Sequence, residues 1–272
     1  MHDPLLVVAA AVLGAILGSF LNALSFRFNT GRGMGGRSRC MCCGHTLAAK
    51  DLVPVLSYVW LGGKCRYCGA KLSPQYPLVE VCAALLSVGV YFVSPTPGLY
   101  TLFLFAWLTI LFIGVYDLRH TIIPWTFSLT LMGVAFVSLF VGGAPDMWAL
   151  LAGPLLALPL FLLSLVSRGT WMGWGDSAFE LSLGWLLGLS MGLTALMLAV
   201  WFGAAAGLLL MALQRLAQSK HSSTVWLQKA FHLPGGQLTI KSEIPFAPFL
   251  AAGAALVYFF NVNFFSTISL LW

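Results

Sequence analysis

Charge is what this sequence has least of. Of its 272 residues 8% are Asp, Glu, Lys or Arg, against 60% hydrophobic, and the mean hydropathy is +0.92. A soluble domain needs a charged exterior, so this scarcity and the long uncharged runs exclude a soluble core and predict an integral membrane protein. The basic excess, 14 Lys and Arg against 8 Asp and Glu, does not indicate nucleic acid. The basic residues flank apolar runs, which is a topology signal. There is no internal repeat and no low-complexity linker. No Lys or Arg precedes the first apolar run, which with the run's length argues against a cleaved signal peptide and predicts a retained helix.

What is present is a series of apolar runs: Pro4 to Phe26, Pro77 to Val93, Leu99 to Tyr116, Ile122 to Val141, Met147 to Val166, Ser177 to Ser190, Met191 to Leu213 and Ile244 to Phe260. They predict an all-α, polytopic membrane bundle of about eight transmembrane helices, or seven if the Gly188 to Gly192 turn does not separate two of them. Alternation from an outside N-terminus puts all 14 Lys and Arg residues on one side, the cytoplasmic one by the positive-inside rule. The expected division is residues 1–26 as the first transmembrane helix, 27–76 as a cytoplasmic zinc-binding domain and 77–272 as the transmembrane bundle. Pairs such as Gly14 and Gly18, Gly184 and Gly188, and Gly203 and Gly207 permit close helix approach. The polar stretch from Gln214 to Glu243 is weakly amphipathic and suits a membrane surface.

The polar region 27–76 contains Cys40-Met41-Cys42-Cys43-Gly44 and Cys65-Arg66-Tyr67-Cys68-Gly69. Two C-x-x-C pairs, each followed by glycine, have the spacing of two zinc knuckles presenting four thiolates tetrahedrally. A cytoplasmic location keeps thiols reduced and favours metal over disulfides. The expected ligands are Cys40, Cys43, Cys65 and Cys68. Cys42 is left as a spare thiol, Cys82 reads as a small buried residue, and His45 is a possible substitute donor that four cysteines make unnecessary. The glycines from Gly31 to Gly36 resemble a phosphate loop only superficially, since no strand precedes them.

Two carboxylates stand at the edges of apolar runs. Asp176 follows Gly173-Trp174-Gly175, and Asp117 closes an earlier run in Tyr116-Asp117-Leu118-Arg119-His120. The alternation places both on the cytoplasmic face. Brought together from different helices, they can share one proton, one carboxylate activating water while the other acts as acid, which is the chemistry of peptide hydrolysis. The alternative is two helix-end residues in interfacial water. Gly173 and Gly175 are expected to let an extended substrate backbone pass close to Asp176. His120 is either a hydrogen-bond partner of Asp117 or an interfacial residue without a role.

Taken together, these residues resemble the bacterial type IV prepilin leader peptidases, which are membrane aspartic proteases. The resemblance is carried by Gly18-Ser19-Phe20-Leu21-Asn22 with Arg27, the paired knuckles, Ser73 to Glu80, Asp117 with Ile123-Pro124, Gly173 to Asp176, and Lys241 to Pro248. It implies a multi-pass protein of the bacterial inner membrane with its zinc domain and aspartates at the cytoplasmic face. It implies removal of a basic leader from prepilins or type II secretion pseudopilins, after a glycine, by Asp117 and Asp176. It also implies N-methylation of the new N-terminal residue from S-adenosylmethionine in many members. Membrane lipid and a prepilin are the implied partners, with no nucleic acid. Two positions depart from the family: Ala178 stands where lysine is common, and Trp125 follows Pro124 where Asp or Asn is frequent. Loss of that cation, with Glu180 added one turn along, is expected to weaken the electrostatic support of Asp176. A peptidase without methyltransferase activity, or a catalytically silent membrane scaffold that binds pilin-like segments, are the alternatives.

Overall fold

The computed structural model describes residues 3–29, 36–141, 143–219 and 245–265. Nine α-helices and no strand occur among the described residues: α1 Pro4–Arg27, α2 Leu56–Trp60, α3 Gln75–Val93, α4 Pro97–His120, α5 Trp125–Ser138, α6 Met147–Val166, α7 Trp174–Leu187, α8 Leu189–Ser219 and α9 Ala247–Phe260. Five of them, α1, α3, α4, α6 and α8, are long and apolar enough to cross a membrane. The helices α5, α7 and α9 have 14 residues each. The protein is therefore an all-α, multi-pass membrane bundle carrying a small cysteine-rich insertion.

The expected runs recur as helices with shifted ends. The fourth begins at Trp125 and not at Ile122. Residues before proline are pushed out of the helical region, so Ile122-Ile123-Pro124 runs extended into the Pro124 cap. The sixth and seventh runs are separate helices, broken at Gly188, whose φ of +79° ends α7 one residue before α8 begins. The last helix starts at Ala247, immediately before Pro248; the expected start at Ile244, the amphipathic stretch 214–243 and the loop Gly31 to Gly35 lie largely or wholly outside the described residues or side chains. The short helix α2 has no counterpart in the sequence reading.

The chain packs as two units, residues 1–112 and 113–272. In the first, α1 and α3 touch backbone to backbone. A Cβ on Gly14 would fall 2.5 Å from the Ala83 carbonyl oxygen, and one on Gly18 would fall 2.9 Å from the Glu80 Cα, so two of the small residues noted in the sequence are true contact points. Buried polar side chains tie the pair: Ser87 Oγ donates to the Ala10 carbonyl at 2.6 Å, and Asn22 Nδ2 donates to that of Tyr76 at 3.0 Å. Without water in the bilayer, such groups must find protein partners. In the second unit α6 and α7 meet where Gly153 faces Gly184, each leaving no room for a Cβ, and α9 lays Gly253 on the Ala195 carbonyl of α8. The other members of the glycine pairs act differently: Gly188 is a turn, and Gly203 makes only ordinary contact with Phe249.

Candidate active site and metal centre

In the first unit, the two cysteine loops fold identically because they carry the same pattern. The Cys40 N–H donates to the His45 carbonyl at 2.9 Å and the Gly44 N–H to the Cys40 carbonyl at 2.9 Å. The second loop repeats this with Cys65 N–H to Ala70 at 2.8 Å and Gly69 N–H to Cys65 at 2.9 Å. Gly44 and Gly69 have φ of +71° and +69°, a left-handed conformation that a side chain disfavours. One isolated bridge closes each loop, Arg39 with Thr46 and Lys64 with Lys71.

The four sulfurs of Cys40, Cys43, Cys65 and Cys68 lie within 4.8 Å of one another. Cys40 Sγ and Cys68 Sγ are 3.8 Å apart, close to the edge of a tetrahedron built on metal–sulfur bonds of about 2.3 Å. The set fits a closed four-thiolate metal site. The backbone N–H groups of Cys43 and Cys42 aim at Cys40 and bring its thiol down to about 6. The Ala70 N–H acts in the same direction on Cys68, but burial and the neighbouring Cys65, Cys43 and Cys40 outweigh it and push that thiol up to about 12. Without a cation the cluster supports an early first thiolate and resists further ones, which is what a dication would offset. His45 stacks on Tyr67, ring centroids 3.7 Å apart, and is not among the donors; Cys42 is exposed and Cys82 half-buried.

The second unit holds the carboxylates. Asp117 sits in the last turn of α4 and is 4% exposed; its Oδ2 accepts the Ala247 N–H at 3.1 Å. Ala247 is the first residue of α9, so the carboxylate satisfies a helix N-terminal donor. Asp176 is in the first turn of α7, where its Oδ2 accepts the Gly173 N–H at 3.1 Å, the side-chain-to-backbone half of a helix-capping arrangement. The two carboxylates are close enough for their charges to interact. The structure thus brings Asp117 and Asp176 together from α4 and α7.

Position in this unit is set by main-chain contacts. A Cβ on Gly175 would lie 2.7 Å from the Ile123 Cβ, so this glycine lets the first turn of α7 sit against the extended segment before Pro124. A Cβ on Gly173 would meet Asp176 Oδ2 at 3.3 Å. Ser164 Oγ also donates to the Gly173 carbonyl, at 3.3 Å. His120 stacks on Tyr116 with centroids 4.3 Å apart. Ile123 and Ala247 were not singled out individually by sequence reasoning. Their signal was present in Ile123-Pro124 and in the prolines flanking Phe246-Ala247. One turn beyond Asp176, Glu180 is fully buried and neither oxygen has a hydrogen-bond partner.

The Bacterial Peptidase A24 N-terminal domain matches residues 12–94. A prepilin leader peptidase/N-methyltransferase of Burkholderia pseudomallei (strain 1026b) is 27% identical over 94% of this chain and 86% of its own. The protein of the same name from Aeromonas hydrophila is 34% identical over 68% of this chain and 65% of its own, and that from Bacillus subtilis (strain 168) is 27% identical over 94% of each. No solved structure matches. The matched region of the first unit contains both cysteine loops, and the relatives extend the likeness through the carboxylates of the second: the chain belongs to the family of bacterial prepilin leader peptidases.

Proposed function

We propose that the protein is a membrane aspartic endopeptidase that removes the basic leader of a type IV prepilin or pseudopilin after a glycine, with Asp117 and Asp176 as its catalytic pair. The observation that carries this reading is the convergence of two carboxylates from α4 and α7, each holding one backbone N–H on Oδ2. Sharing one proton, the ionised carboxylate takes a proton from water as its oxygen bonds to the scissile carbonyl carbon. The protonated partner donates to the carbonyl oxygen, and the proton gained from water goes to the departing amine as the C–N bond breaks. Gly173 and Gly175 would admit the extended substrate backbone. The division into a first helix (1–26), a zinc domain (27–76) and a peptidase bundle (77–272), with zinc domain and aspartates facing the cytoplasm, belongs to the same proposal and is supported by the distribution of the 14 Lys and Arg residues.

Zinc would be held by Cys40, Cys43, Cys65 and Cys68. Bound there, it would supply folding free energy to the loops and no open position for catalysis. Methyl transfer from S-adenosylmethionine to the new N-terminal amine is proposed as a second activity, supported by the names of the relatives. It requires only in-line positioning of donor and amine. Mass spectrometry of processed substrate, with the donor present, should find one added methyl group; its absence would leave a peptidase alone.

The test of the peptidase is leader removal in membranes. Asp176→Asn keeps the size and the cap geometry but removes the acid–base function, so cleavage should be lost. A rate near the parent's would place the chemistry elsewhere. A silent scaffold that binds pilin-like segments is the second reading, and Ala178 with the buried Glu180 favours it. If the parent cleaves nothing while Ala178→Lys cleaves, the carboxylates are competent and only their electrostatic support is missing.

A further inference from the structure

The first unit contains a groove of about 360 Å³ between the polar end of α1 and the segment that follows the first cysteine loop. Its α1 wall is formed by Ile16, Ser19, Phe20, Ala23 and Leu24. Ile16 and Phe20 are 52% and 61% exposed. They belong to a helix long and apolar enough to cross a membrane, so this side of the groove presents apolar side chains of the kind that face lipid.

The opposite wall is Leu52 and Pro54, and it is fixed in an unusual way. Val55 has φ +60° and ψ −51°, with the Leu56 N–H donating to the Pro54 carbonyl at 2.6 Å. This is a γ-turn of the hand that β-branched residues rarely adopt. It is held by Glu80 of α3, whose Oε2 accepts the Val55 N–H at 2.7 Å. Ser19 of α1 lies near the same carboxylate. One buried acid of α3 therefore fixes the Leu52–Pro54 wall and stands beside α1.

The groove changes character along its length. At its far end lie Arg27, Gly36 and Ser38, with Arg27 donating to the Gly36 and Arg37 carbonyls at 3.4 and 3.5 Å. None of its described lining residues is acidic. A cation at one end and apolar side chains at the other complement a phosphate attached to a hydrocarbon chain. A basic leader peptide would meet a like charge. The wall continues into α2, where Leu56, Val59 and Trp60 are 63%, 69% and 89% exposed, side chains that suit the headgroup level of a bilayer.

We propose that this groove binds one anionic phospholipid of the surrounding bilayer, its phosphate at Arg27 and one acyl chain between Phe20 and the Leu52–Pro54 wall. The site is independent of the carboxylates in the second unit and stands whether or not they are catalytic. The test uses the full chain in mixed micelles with equal amounts of phosphatidylglycerol and phosphatidylethanolamine of the same acyl chains, read by native mass spectrometry. The parent should retain one lipid with a preference of roughly fivefold for phosphatidylglycerol. Arg27→Gln should bring the preference near parity, and Ala23→Phe, which fills the groove, should lose the retained lipid while keeping its helical content. Should Ala23→Phe fail to fold, an immobilised fraction of spin-labelled phosphatidylglycerol on the parent, reduced in Arg27→Gln, reads the same site. Equal retention of the two lipids by the parent, or a preference unchanged in Arg27→Gln, would overturn the proposal. So would displacement of the lipid by an equimolar apolar pilin-like peptide, which would make the groove a substrate site.

Discussion

Asp51, beside the cysteine loops, and the pair Asp117 and Asp176 are carboxylates given opposite surroundings. Asp51 has three donors: Oδ1 accepts Arg66 Nε at 2.6 Å, while Oδ2 accepts the Tyr67 hydroxyl at 3.1 Å and the Ala48 N–H at 3.2 Å. Arg66 holds its carboxyl below the usual range, against the opposing effect of burial and with help from Ala48 and Tyr67. Asp117 and Asp176 each receive one backbone N–H, on Oδ2. Their company includes no cation among the described contacts, only each other's charge. A carboxylate held by three donors, one of them a cation, is a fastener. One with lone pairs to spare, beside a second acid, retains the capacity to exchange a proton.

That contrast can be tested from both sides. The largest effect is expected at the cysteines. Cys40→Ser with Cys43→Ser should drop bound zinc from about one per chain to near zero and expose residues 36–74 to proteolysis, since structural zinc binding contributes on the order of 10 kcal/mol. Elemental analysis of the purified protein reads this directly. Metal content at the parent level in the double variant would remove these residues as ligands.

Next come the aspartates. Asp117→Asn and Asp176→Asn should each reduce leader cleavage on the order of a thousandfold or more, and the double variant should be little worse, because residues acting as a unit are non-additive. Multiplying losses in the double variant, measured on a prepilin in membranes, would show two independent roles. Metal content should be unchanged in all three.

A smaller effect probes backbone placement. Gly175→Ala must push Ile123 away and displace the first turn of α7, so cleavage should fall by about ten- to a hundredfold. Ile123→Gly opens space at the contact and should recover part of the loss when combined with it. Cleavage by Gly175→Ala equal to the parent's would mean that this close approach does not position Asp176.

The smallest effect belongs to the ion-paired Asp51. Arg66→Ala should cost about 1 kcal/mol or less, as exposed ion pairs do. The sign of its pH dependence is fixed: the folded state lowers the Asp51 carboxyl, so the contribution is present above the ordinary carboxylate range and lost as pH falls through the lowered value. Thermal unfolding of the parent should therefore become more acid-sensitive than that of Arg66→Ala below about pH 4. Identical acid profiles would show that the pair contributes nothing measurable.

Much of this was legible in the chain because it is local chemistry. The apolar runs gave the helices to within a few residues, and the repeated cysteine pattern gave a cluster that the folded loops reproduce hydrogen bond for hydrogen bond. The start of α5 was misplaced because a hydrophobic count does not register that Ile123 precedes Pro124 and must run extended. Helix α2 escaped because Leu56–Trp60 is too short to show a period. The strained turn at Val55 has no local signal at all, since a valine there is explained only by Glu80, which stands in α3.

By itself the sequence determined the class of protein, the order of its apolar helices and which four cysteines cluster. Each follows from composition, or from spacings that close over a few residues. Only the tertiary structure decided that Asp117 holds the first amide of α9, that Gly175 is required by Ile123 and that Glu80 pins Val55. Those contacts join residues far apart in the chain. Their existence depends on which helix faces pack together, a choice made by the sum of many small side-chain contacts, for which no single short motif is the signature.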